Sequence, residues 1–396
     1  MALPNVIIDV RREGLGQVAV TKDSIMGLIL PGVAVTDKLV LKKAYAIYGL
    51  KDAEAIGITQ LDADGETAGV NLAAWKQVRD FYNEAGNGAK LWIIVSGEAL
   101  MNSNVDFTLP ACAAKTLIDA ANGEIAVIGV CRGVTPSTTV VDGLNEEVWD
   151  AFNSVQLGAK AYQELIMPFS AVIEGLGFAG DASTVKDLKT MNAHRVSILL
   201  AAPESDGVAG VGQYLGRLAA IPVQRKASRV KDGALTNMNG YLTDGAGAES
   251  RVGALNTLHD KGYIVYRTFP GKSGFFYSGD PTATAPTDDL NTISRNRIID
   301  KAIKIAYNVY VTELDDDVPI TAQGNIEPAV CGALQEKIEA QVKGNMEGEI
   351  SAFNAYVDPN QNILSGLPLD IVLDITPKGY LNPIKVSIGF VNPFST

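Results

Sequence analysis

The residues to weigh first for chemistry are Gly175-Leu176-Gly177-Phe178-Ala179-Gly180, which spell G-x-G-x-x-G. In a dinucleotide site such glycines let a pyrophosphate approach a helix N-terminus, and an acidic residue farther on holds the ribose, a place that Glu204 fits. Asp181 argues against that chemistry, because its carboxylate would stand beside the phosphate. A tight strand-to-helix turn explains the same glycines. Gly271-Lys272-Ser273 has the ending of a phosphate-binding loop, but Tyr266 occupies the place of the loop's first glycine. The next residues, Gly274-Phe275-Phe276-Tyr277, read as a strand where that loop needs a helix, so the site is rejected. The two histidines, His194 and His259, have no partner at metal or triad spacing. Asp62-Ala63-Asp64-Gly65 matches part of a calcium loop without its later Glu and reads as a solvated turn. Asp315-Asp316-Asp317 reads as a hydrated surface loop. No catalytic, cofactor-binding or metal-ligating residue emerges.

The elements that would position any site alternate between helix and strand from about residue 25. Leu72, Trp75, Val78, Phe81 and Tyr82 have helical spacing within 70–85, and Gly86-Asn87-Gly88 stops the helix. Buried strands are expected at 91–95, 125–130, 170–173 and 196–200, with helices at 111–121, 145–167 and 182–191. Continuous apolar strands between helices predict a layered α/β body covered on both faces of its sheet. Residues 203–260 are rich in Gly and Asn, with a helix near 211–220. A long helix is expected from Asp288, where Asp288 and Asp289 suit the helix dipole. Another is expected over 327–342, with Val330, Leu334, Ile338 and Val342 on one side.

Both ends of the chain read as strands. Val6, Ile8 and Val10 alternate with Ile7, Asp9 and Arg11. Leu369, Ile371, Leu373 and Ile375 alternate with more polar neighbours, and Ile384, Val386 and Ile388 come after Pro377-Lys378-Gly379. Strands at termini need a sheet to join. Either they close the chain's own sheet, or they reach a second copy and pair there through backbone hydrogen bonds.

At 396 residues the chain is longer than one core usually grows, so two or three domains are expected. With 33 basic and 45 acidic residues, the net charge of −12 repels phosphate and argues against nucleic acid as a partner. Three widely spaced cysteines fit a reducing compartment and free thiols. The N-terminus lacks the features of a signal peptide, and no apolar run reaches membrane-spanning length, so a soluble protein made in the cytoplasm is expected.

The most distinctive block is Lys261-Gly262-Tyr263-Ile264-Val265-Tyr266-Arg267-Thr268, then Gly274-Phe275-Phe276-Tyr277-Ser278-Gly279-Asp280, then a helix with Asn291, Arg295, Asn296, Arg297, Ile298, Ile299 and Asp300. In that order it resembles the C-terminal core of contractile tail sheath proteins, the sleeves of phage tails and related injection systems. Trp75 through Ile94 and Gly216-Arg217-Leu218-Ala219-Ala220-Ile221-Pro222-Val223 share the resemblance. The Arg267 strand runs on into Phe269-Pro270-Gly271-Lys272 and an aromatic hairpin where the family has a helix, as in a compact, divergent branch.

The resemblance implies a multi-domain α/β protein: an N-terminal arm (1–24), an α/β domain (25–202), a connecting region (203–260), a sheath-like α+β core (261–365) and a C-terminal arm (366–396). It implies a non-enzymatic subunit that polymerises helically with its own copies around an inner tube, between baseplate and tail-terminator proteins, without inserting into a membrane. It implies assembly in the bacterial cytoplasm and a place in a phage tail or injection particle. Gln335, Lys337, Glu339 and Lys343 would face the tube. Polar stretches such as Lys343-Gly344-Asn345 and Asn360-Gln361-Asn362 would supply flexible linkers to the arm. Two other readings stay open: a dinucleotide-dependent α/β oxidoreductase using Gly175–Gly180, and a non-contractile scaffold of capsid or tube type.

Overall fold

The computed structural model describes residues 22–390, apart from Ala63 and Gly366. Val6, Ile8 and Val10 lie outside the described residues. The chain divides into two compact units, residues 1–301 and 302–396, with the boundary inside one long helix. That boundary coincides with none of the finer ones expected at residues 24, 202, 260 and 365. Residues 203–260 are part of the first unit, and their helix is buried along nearly its whole length.

The first unit is built on a six-stranded sheet. Its strands are β1 (Met26–Pro31), β2 (Ala44–Ile47), β3 (Leu91–Ser96), β4 (Val127–Val130), β5 (Ser170–Glu174) and β6 (Val196–Leu199). The order is β2-β3-β1-β4-β5-β6, parallel throughout except for β2 at one edge. β1, β4, β5 and β6 are buried at every residue, as a parallel sheet covered on both faces requires. The sequence reading assigns no strand to Met26–Pro31, yet this is the central one.

Helices α1 (Leu72–Ala85), α2 (Ala113–Ala121), α3 (Glu146–Glu164) and α4 (Val211–Ala219) cover the sheet. Gly27 faces Leu117 of α2, while Gly129, on the opposite side of the sheet, faces Val211 and Leu215 of α4. α1 and α4 pack backbone to backbone. A Cβ on Gly212 would fall 2.0 Å from the Gln77 carbonyl oxygen, and one on Gly216 would fall 2.4 Å from that of Phe81. Glycine at i and i+4 is what lets the two helices approach this far. Gln77 then caps α4, donating to Ala209 O at 2.9 Å and accepting from Gly212 N at 2.7 Å.

The expected helix over 182–191 is absent; only a 3-10 turn forms at Leu188–Thr190. Asp181 accepts from Ser183 N and Asp187 from Lys189 N, so each side chain offers the backbone a local alternative to the helix. Lys261 Nζ ties the segment down by donating to the carbonyls of Ala182, Ser183 and Val185.

The unit closes with α5 (Val252–Asp260), the hairpin β7 (Tyr266–Phe269) and β8 (Lys272–Tyr277), and α6 (Ile293–Tyr310). α6 starts at Ile293, five residues after Asp288. Asp280 supplies the acid at its N-terminus, accepting from Ser294 N at 3.1 Å, while Asp288 accepts from Leu290 N in the preceding turn. The first half of α6 is anchored by a buried ion pair. Arg195 Nη1 reaches both oxygens of Asp300 at 2.6 and 2.7 Å, and its Nη2 donates to Gln163. Arg297 is also buried and donates to Asp23 O.

The second unit holds α7 (Pro328–Met346) and the antiparallel pair β9 (Ile350–Val357) and β10 (Ile371–Pro377). Cys331, Leu334, Ile338, Val342 and Met346 form the buried stripe of α7. That stripe carries the helix through Lys343-Gly344-Asn345, which is no linker. Asn360-Gln361-Asn362 is a fixed turn too: Gln361 donates to Asp370 O and accepts from Asp370 N. One face of the strand pair packs on α7, and Tyr356 and Val372 stand exposed on the other.

Candidate assembly interface

The glycine motif is the first candidate to place. In an open α/β sheet the ligand crevice lies where the strand order reverses, here beyond the ends of β1 and β4. Gly175–Gly180 comes after β5 instead, and no α-helix starts close behind it. Its glycines serve internal packing: a Cβ on Gly177 would strike Asn145 at 1.8 Å, and one on Gly175 would strike Leu200 at 2.5 Å. A crevice of about 160 Å³ does open at the reversal point, lined by Pro31, Leu72, Cys131, Glu174 and Val208. Its charges are already matched. Glu174 is fully buried and accepts from Arg132 N, Nε and Nη2 and from Ala209 N. Glu204, the residue suited to a ribose, is held by Lys76 and Arg79. A phosphate would have to displace these carboxylates, so the dinucleotide reading finds no support here.

Asp62 and Asp64 serve their own turn: Asp64 accepts from Glu66 N and Thr67 N, and Asp62 from Val70 N. Among the described residues no group of three or more His, Cys, Asp or Glu is placed to hold a metal ion. No described helix is long and apolar enough to cross a membrane.

The remaining candidates lie in the second unit, where polar side chains and strand edges come together. Gln335 donates to Ala355 O at 3.1 Å and accepts from Val357 N at 3.4 Å, and Glu339 accepts from Ala355 N at 3.2 Å. Two side chains of α7 thus occupy one edge of β9 in place of a third strand. Lys337 pairs with Glu313, and that bond holds the Glu313 carboxyl below its usual range. Of the four residues expected to face a tube, Lys343 alone has no partner among the described residues.

The bonds to Gln335 and Glu339 fix the geometry of the opposite edge. They turn the backbone groups of Ala355 and Val357 away from β10, so both sit in the non-hydrogen-bonded pairs of the ladder. Their partners, Leu373 and Ile371, and by alternation Ile375, therefore point backbone N–H and C=O outward from the far edge of β10. No backbone bond meets that edge among the described residues. The side chains of Ile371, Leu373 and Ile375 are partly buried on the α7 side, and Leu369 packs on the same cluster.

The expected terminal strand pair is therefore split. Residues 371–377 join β9, a strand the sequence reading did not identify. Residues 380–390 form no strand: Ile384, Val386 and Ile388 are 70%, 72% and 93% exposed. Among the described residues, an open strand edge and an unpartnered apolar segment that alternates with period two lie in one unit.

Comparison with known proteins places the fold. A structure of the anti-feeding prophage baseplate contains a chain that matches 99% of this one over its whole length, with TM-score 0.63 and 14% identity. The contracted helical sheath of the same particle matches with TM-score 0.61 and 13% identity, covering 99% of each chain. A sheath tail protein from Desulfitobacterium hafniense matches 94% of this chain and 100% of its own, with TM-score 0.50 and 9% identity. The expected mixed α/β fold is the fold of these structures. No curated protein is similar enough in sequence to match. The chain belongs to the DUF2586 family, whose N-terminal domain matches residues 3–280 and whose C-terminal domain matches residues 289–395.

Proposed function

We propose that this chain is the subunit of a contractile sheath, a helical polymer of identical copies around an inner tube, and that it acts without catalysis. The observation that carries the reading is the open edge of β10 beside an exposed apolar segment at 384–388, on a fold shared with sheaths in the contracted state. The segment of one copy adds to β10 of the next, so that backbone hydrogen bonds make the joint. The arm with Val6, Ile8 and Val10 is a second strand for the same kind of joint. Such joints persist while the rigid bodies turn, and two packings of one sequence that differ by about a few kcal/mol per subunit store the work of contraction.

In this reading Lys343 is left to face the tube, while Gln335, Lys337 and Glu339 serve the unit's own architecture. The polymer meets a baseplate at one end and a terminator at the other. It assembles in the bacterial cytoplasm and ends in a phage tail or an injection particle.

The test is electron microscopy of the purified chain and of Val386→Pro. Proline removes the backbone donor that a central strand residue needs. Hollow ridged cylinders from the wild type, and none from the variant at an unchanged melting temperature, are expected. Cylinders of normal yield from Val386→Pro refute the joint, and a wild type that never polymerises refutes the sheath reading.

A further inference from the structure

Charge is divided unevenly between the two units. Residues 302–396 carry five lysines and no arginine against twelve acidic residues, whereas residues 1–301 carry 28 basic against 33 acidic. Within the first unit one region runs against the general sign. The loop 222–236 and the hairpin 266–277 hold Arg225, Lys226, Arg229, Lys231, Arg267 and Lys272, with Asp232 as the single acid.

The two stretches form one surface. Leu235 N donates to Phe275 O at 2.9 Å, and Ala234 Cβ lies 2.6 Å from where a Cβ on Gly274 would stand. Asp232 is shared by Arg225 and Arg229. Lys231 and Lys272 are exposed, and no acidic group pairs with either among the described residues. Arg267, also exposed, lies over the Phe269 ring with 4.2 Å to its centroid, which holds the cation out on the hairpin. In the second unit the reverse arrangement occurs at Asp315–Asp317. All three are exposed, and no lysine or arginine pairs with them among the described residues.

We propose that this basic patch is a copy-to-copy contact that receives the Asp315–Asp317 loop of a neighbouring subunit. The proposal rests on the polymer reading above and adds a second joint of different chemistry. Copies with a net charge of −12 repel one another, so a local positive patch is where an acidic loop can approach. Because patch and loop are different surfaces, the contact is heterologous, the kind that propagates as an open helix rather than closing as a dimer. Nucleic acid fits less well: the patch is short and interrupted by Asp232, whereas such binding gains from many phosphate contacts. The acidic loop is also present at one per patch. Exposed complementary charges chiefly set encounter rate and register, and salt weakens them, so the contact is the adjustable one beside the strand joint.

The test uses charge reversal on the full chain. Lys231→Glu with Lys272→Glu makes one variant, and Asp316→Lys with Asp317→Lys the other. Asp315 is left alone because its φ of 62° disfavours a longer side chain. Melting temperature and circular dichroism check that both variants fold.

Each variant alone is expected to need a roughly tenfold higher concentration to polymerise, while an equal mixture recovers wild-type behaviour by alternating the two copies. The difference between the wild type and each variant should narrow between about 50 mM and about 300 mM salt. Polymer from the wild type together with unaffected variants, or a mixture no better than its folded components, overturns the contact alone. So does a patch variant that assembles normally but loses a duplex-DNA binding that the wild type shows. A wild type that forms no polymer overturns the sheath reading and this contact with it.

Discussion

The two units treat their sheet edges in opposite ways. In the first, the outer edge of β6 is closed by Ile264, which accepts from Leu200 N and donates to Ile198 O. The other edge strand, β2, is short and antiparallel and is preceded by Lys42 and Lys43, charges that discourage pairing with another chain. In the second unit one edge of a two-stranded sheet is occupied by Gln335 and Glu339, and the other carries Ile371, Leu373 and Ile375 with no backbone partner among the described residues. A two-stranded sheet depends on a helix or on further strands for stability, and here α7 covers only one of its faces. On the proposed reading, the difference separates a body that closes its own sheet from a unit that another copy completes.

Mutations in the first unit are therefore expected to cost stability, and mutations in the second mostly to cost assembly. The largest effect is expected from Asp300→Ala, which strands the buried Arg195 guanidinium. Removing one partner of a buried pair costs about 3–5 kcal/mol, measurable as a drop in the thermal or urea midpoint of the monomer. Gly212→Ala comes next. Its Cβ would meet the backbone of α1, and overpacking of this kind costs about 1–3 kcal/mol. Both effects should appear without any polymer present.

Gln335→Ala is the smaller, local counterpart in the second unit. Losing the two bonds to β9 costs about 1 kcal/mol, and hydrogen exchange should show faster exchange at Val357 while the first unit is unchanged. If exchange accelerates equally in the α/β body, the two units are not separate in stability.

Lys337→Ala is expected to do least. The Lys337 bond depresses the Glu313 pKa, so this pair adds stability above the ordinary Glu range and loses it as pH falls through the depressed value. In the variant the Glu313 titration measured by NMR should move upward, with no resolvable change in melting.

Legibility in the sequence divides along the same line. The helices α1 to α4 are legible from apolar residues at helical spacing, and β3, β4, β5 and β6 from continuous apolar runs between them. The central strand β1 is missing from that reading although Met26–Pro31 is an apolar run of the same kind, buried at every residue, and β2 is short. The turn at 182–191 passed for a helix because spacing does not reveal that Asp181 and Asp187 bond their own backbone. In the second unit the exposed alternation of Ile384, Val386 and Ile388 was plain. The strand that receives β10 was not, since small Ala355 faces inward and large Tyr356 outward. Gln335 and Glu339 then looked like free polar residues, because a helix surface reads the same whether it faces water or a strand edge.

The claim that β10 is completed by another copy is tested most directly by hydrogen exchange at the amides of Ile371, Leu373 and Ile375, compared between monomer and assembled polymer. Fast exchange in the monomer and strong protection in the polymer are expected, with Asp374 and Val372 protected in both. Edge amides that exchange equally fast in both states, while the polymer is intact, would contradict it.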